Sequence, residues 1–214
     1  MSAATQKGRM RTALLRMVGG AIFGAGAMSL ILTLVPKSSL VAADPSVVLA
    51  LAASGCYLVI GLIVAVGMIA PGAGARFLNV EDSDEIREER PKLKSSTLVF
   101  FLTGIFLLVL ALSAAGSVLL SSAATAAVAI ACLAGIVIAG WLGSKHSDEL
   151  NLRMGQEASS ISFQLSLFAI GGWAVLAELG HVAPIDPLAL LASLALLQLF
   201  VTFIVIGRRG LLIR

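Results

Sequence analysis

The stretch LAELGHVAPIDP places Glu178, His181 and Asp186 close together in the chain. Two carboxylates flanking an imidazole could hold a cation weakly or sense pH through His181. The plainer reading is a solvated turn in which Asp186 caps the helix that Pro187 begins. Other chemistry-bearing residues are sparse. The second histidine, His146, stands far from His181, and Cys56 and Cys132 have no metal-ligand spacing. No HExxH, no nucleophile beside a base and no phosphate-cradling loop is present; the glycines of GGAIFGAG lie inside an apolar run, where they serve packing. No catalytic residue, metal or cofactor is expected.

Two charged stretches repeat a pattern. SDEIREERPKLKSS at 83–96 and SDELNLRMGQEASS at 147–160 share Ser-Asp-Glu at the front and Ser-Ser at the back, 64 residues apart. A helix start has amide donors without partners and a positive dipole end, so a Ser cap followed by Asp and Glu supplies an acceptor and negative charge there. Each motif is read as a helix start. Pro91 should break the first copy, whereas the second has no proline between Ser147 and Leu179 and should run as one long helix. Glu85, Glu88 and Glu89, with Asp84, are like-charge neighbours on the first copy, which argues for a solvated face or a basic partner.

These charged pieces sit between runs that belong in lipid. The chain is 58% apolar and 13% charged, with a mean hydropathy of +1.01, far from the soluble norm of about half apolar and a quarter charged. A spanning helix needs about 20 mainly apolar residues. Six runs qualify: 17–35, 47–70, 96–115, 123–142, 161–179 and 188–206. The expected fold is all-α, a polytopic bundle of six transmembrane helices forming one domain of three hairpins, 12–70, 83–142 and 147–206, with a charged cytoplasmic segment at 71–94. With both termini cytoplasmic, all of the 15 basic residues except Lys37 fall inside, as the distribution of Lys and Arg requires. His146 and His181 then lie on opposite surfaces. The basic charge needs no nucleic acid to explain it, because anionic headgroups suffice. A competing reading makes the first run a signal peptide cleaved after SLVAA; the length of the run favours a retained span.

Lipid is as apolar as leucine, so helices associate through close approach, dispersion and hydrogen bonds. Small residues offer such a face at Gly20, Gly24 and Gly61, and at Ala123, Ala127, Ala131, Gly135 and Ala139 of the fourth run. Phe100, Phe101, Phe106 and the leucines of the third run read as lipid-facing. Gln164, Gln198, Ser162 and Ser166 could line a polar path or join helices; the second reading is favoured. No run carries an ionised residue at its centre, which argues against a proton-coupled transporter or pump.

The third hairpin resembles a group of small bacterial two-span membrane proteins of unknown function. Asp148, Glu149, Trp173, Glu178, Arg208 and Arg209 carry the resemblance, over about a third of the chain. It implies a bacterial inner-membrane protein and no particular activity. The expected function is that of a non-enzymatic scaffold or accessory subunit, acting through helix packing and the charged loop on a membrane-protein partner or a second copy of itself. The rival is a passive or facilitated transporter of a small solute.

Overall fold

The computed structural model of the protein describes residues 44–69, 89–116 and 121–209. These residues form five helices, each long and apolar enough to cross a bilayer, and contain no strand. They are α1 (Pro45–Ile69), α2 (Arg90–Ala114), α3 (Ser122–Ser144), α4 (Glu149–Glu178) and α5 (Pro187–Arg208). Helices are the expected solution, since in hydrocarbon every backbone donor and acceptor must be satisfied within the segment. The chain is a multi-pass membrane protein. The described residues hold five of the six expected spans; run 17–35, with Gly20 and Gly24, lies outside the described residues, as do Glu85 and Glu88.

Local chemistry sets the helix ends. Asp44 accepts from the Ser46 amide at 3.0 Å just before Pro45 begins α1. Asp186 accepts from Leu188 and Ala189 at 2.8 and 3.1 Å before Pro187 begins α5. A proline in the first turn loses no helical hydrogen bond. Helix α2 begins at Arg90, with Pro91 in its first turn and Glu89 at its N-cap. It starts six residues before the apolar run, with Pro91 in the first turn, where proline costs no helical hydrogen bond. In α4 the cap is Asp148, which accepts from the Asn151 amide at 3.0 Å. Ser147, the expected cap, instead donates to the Gly143 carbonyl at the end of α3. The front of the first charged copy, 83–88, lies outside the described residues. At the far end of α4, Gly180 (φ 75°) closes the helix; its amide and that of His181 return to the Ala177 and Leu176 carbonyls, a left-handed turn that glycine adopts without strain.

The described helices pack in the order α3, α2, α1, α5, α4, with a lesser contact between α2 and α5. Along the α1–α2 seam, a Cβ added at Gly104 would stand 2.6 Å from Leu58 Cγ, and one at Gly61 would stand 3.3 Å from Phe100 Cβ. Ser54 Oγ donates to the Gly104 carbonyl at 2.8 Å across the same seam. Tyr57 ties α1 to α5 by donating to the Ala195 carbonyl at 2.8 Å, and its ring lies 5.9 Å from that of Phe100. Leu51, Leu107 and Ala192 are at the centre of the main core. A smaller core of Met154, Ala158, Val201 and Val205 joins α4 to α5.

The buried faces differ from those read in the sequence. Phe106 and Leu107 are buried, because α2 has α1 on one flank and α3 on another. On α3 the buried residues are Thr125, Ala129, Cys132 and Ala139, while Ala127 and Ala131 are exposed. Residues four apart advance 400° around a helix of 3.6 residues per turn, so a stripe at that spacing drifts by about 40° per step and leaves the contact line. Ala139 and Gly135 remain on the packed side, Gly135 so close that a Cβ would meet Leu102 Cδ1 at 2.7 Å.

Candidate functional site

The antiparallel run of the helices gathers charge at one end. Every Lys and Arg among the described residues lies at the start of α2, the end of α3, the start of α4 or the end of α5. At this end Lys92 Nζ lies 3.0 Å from Glu89 Oε1, Arg153 pairs with Glu149 at 2.7 Å and Arg209 pairs with Glu157 between α5 and α4. Lys145 Nζ stands 3.5 Å from the ring centre of Trp141. Asp148 is fully exposed, and the Asn151 amide holds its carboxyl below the usual aspartate range.

At the same end, α3 and α4 are joined only by residues 145–148 and do not pack along their lengths. The gap between them, backed by α2, is an open cleft of about 750 Å³. Lys92, Ser95 and Ser96 of α2 stand on one side, and Gln156 and Ser159 of α4 on another. Deeper lining includes Val99, Phe100 and Ala139, so the cleft is polar at part of its wall and apolar elsewhere. Gly143 lets α3 approach α2 closely, with Ser95 Cβ only 3.0 Å from where a Cβ would stand. Gly140 and Gly155 differ, for a Cβ at either would meet nothing within 4 Å.

The hydroxyls of the cleft fall into two sets. Ser95, Ser144 and Ser147 donate to the carbonyls of Pro91, Trp141 and Gly143, each within one turn. Among the described residues, the hydroxyls of Ser96 and Ser159 and the amide of Gln156 have no protein partner. Lys92 donates to Glu89, leaving two of its three donors. The arrangement can therefore donate several hydrogen bonds toward an anion. Sequence reading registers Ser95, Ser96 and Ser159 only as the tail of the paired motif; the signal available was that both serine pairs follow basic residues at helix starts.

The residues singled out in the sequence are scattered. Gly61 is buried against Phe100 and Phe101. Ser162 is buried with its hydroxyl unpaired, and Ser166 donates to the Ser162 carbonyl. Gln164 is exposed and Gln198 half-buried, and among the described residues neither side chain bonds across helices. Glu178 and His181 are exposed at the opposite end from the cleft, and the Asp186 carboxylate is engaged in its cap. No group of metal-binding side chains forms among the described residues. Nearby, Trp173 Nε1 donates to the Ala183 carbonyl at 2.9 Å, pinning the α4–α5 turn to α4. Glu89, the described member of the acidic loop, is at the edge of α2, paired with Lys92.

Comparison with protein-family models, with curated proteins and with solved structures finds no match to this chain.

Proposed function

We propose that the protein is a non-enzymatic scaffold or accessory subunit of a bacterial inner membrane, built as six spans in three hairpins with both termini cytoplasmic. The observation that carries this reading is the openness of α4. Only 6% of its apolar stretch is buried, against 44% for α1. That exposed surface includes Gln164 as well as Phe163, Leu167 and Phe168. A primary amide facing hydrocarbon forgoes its hydrogen bonds, whereas one facing another helix regains them, so Gln164 favours a protein neighbour.

The partner is a membrane protein or a second copy of the chain, with Glu85, Glu88 and Glu89 adding a charged contact on the cytoplasmic side. Tagged full-length protein extracted from native membranes in mild detergent should bring down a specific membrane chain or itself. Gln164→Leu should reduce that recovery, and reversing the three glutamates to lysine should reduce it further. Isolation as a lone species, whatever stands at these positions, defeats the reading.

A further inference from the structure

The cleft framed by α2, α3 and α4 is a site that the scaffold reading does not use. We propose that it seats one anionic phospholipid, with the headgroup phosphate at Lys92, Ser96 and Ser159 and the acyl chains leaving past Val99 and Phe100. Three observations converge on this ligand. First, the donors left over at the cleft are those a phosphate needs: two N–H groups of Lys92 and the hydroxyls of Ser96 and Ser159. Second, this end of the described protein carries seven cations, Arg90, Lys92, Lys94, Lys145, Arg153, Arg208 and Arg209. Four carboxylates accompany them, Glu89, Asp148, Glu149 and Glu157. The surplus favours an anion over a zwitterion, as in basic pockets between membrane helices on the cytoplasmic side.

Third, the space has room for a molecule with both a headgroup and acyl chains. Where α2 and α3 meet, glycine is filled by its neighbour, as at Gly143 against Ser95. Gly140 and Gly155 line the cleft with open space beside them. A volume of about 750 Å³ holds far more than a free anion. A soluble phosphate would also leave the Val99 and Phe100 walls uncovered, whereas an acyl chain covers them.

The test uses full-length protein in detergent, incubated with phosphatidylglycerol or phosphatidylcholine and examined by native mass spectrometry. One phosphatidylglycerol should be retained in preference to phosphatidylcholine. Gly140→Leu and Gly155→Leu, placed where a Cβ meets nothing within 4 Å, put bulk into the cleft and should each abolish retention at unchanged helical content and thermal stability. Lys92→Gln should weaken it about fivefold, and Ser96→Ala with Ser159→Ala should weaken it about threefold each. If a leucine variant loses its fold, Lys92→Gln decides alone. Equal retention of both lipids, full retention in Gly155→Leu or Lys92→Gln, or displacement of the lipid by excess inorganic phosphate overturns the proposal.

Discussion

The α1–α2 seam and the α3–α4 gap are both built from helices apolar enough to cross a bilayer, yet one is closed and the other open. Helices α1 and α2 are separated by twenty residues of chain and meet closely. At the seam, Gly61 and Gly104 admit Phe100 and Leu58, and Ser54 donates across to Gly104. Helices α3 and α4 are joined by four residues and diverge. The contrast teaches that in lipid neither adjacency in sequence nor apolarity brings helices together. Close backbone approach and an interhelical hydrogen bond do.

The largest effect should come from filling the seam. Gly104→Val would press a branched side chain onto Leu58, whose backbone nitrogen is 3.2 Å from the new Cβ. It should cost about 3 kcal/mol in unfolding by denaturing detergent. Gly140→Ala, on the open side, should change stability by less than about 1 kcal/mol. Equal costs at the two glycines would erase the distinction between seam and gap.

Hydrogen bonds across the packed helices come next. Ser54→Ala and Tyr57→Phe each remove a donor to a carbonyl on a neighbouring helix, and each should cost about 0.6 kcal/mol. The two donors serve different partners, α2 and α5, yet stand three residues apart on one face of α1, so each single variant is read against its own partner helix. No loss in either single variant would show that these bonds do not hold α1 to its neighbours.

The pair Glu157–Arg209 sharpens the comparison from the α4 side, where contact is sparse. Both side chains are more than a third exposed, so Glu157→Gln should cost below about 1 kcal/mol, with the difference fading as salt is raised. A large, salt-independent loss would place α4 under firmer hold than its burial implies.

The smallest expected effect concerns the Asp148 cap at the edge of the gap. Because its carboxyl is held below the ordinary aspartate range by the Asn151 amide, its stabilising contribution is complete above the ordinary value. It is lost as pH falls through the lowered folded one. Hydrogen exchange at the Asn151 amide should therefore quicken on acidification, and Asp148→Ala should show the same quickening at neutral pH. Unchanged exchange in that variant would remove the cap from the account.

Much of the helical layout was legible. Run 47–70 corresponds to Pro45–Ile69 and run 123–142 to Ser122–Ser144, because apolar length alone marks a span. Asp44-Pro45 and Asp186-Pro187 were readable as helix starts, because a cap and an N-terminal proline act locally. The buried faces were not. A lipid-facing side and a protein-facing side are both apolar, so Leu107 in the core and Ile130 in the open have the same signature. Ser54 and Tyr57 were overlooked, although two hydroxyl side chains three residues apart in an apolar run place both on one helix face. The cleft needed α2, α3 and α4 brought together, which spacing along one helix cannot reveal.

The bond from Tyr57 to Ala195 spans 138 residues of chain. At ordinary translation rates, α1 leaves the ribosome roughly seven to twenty-eight seconds before the last helix arrives to receive that hydroxyl. During that interval one flank of α1 waits in the insertion machinery or in lipid. A chain stalled before α5 would present that flank to whichever quality-control factor inspects unfinished membrane proteins.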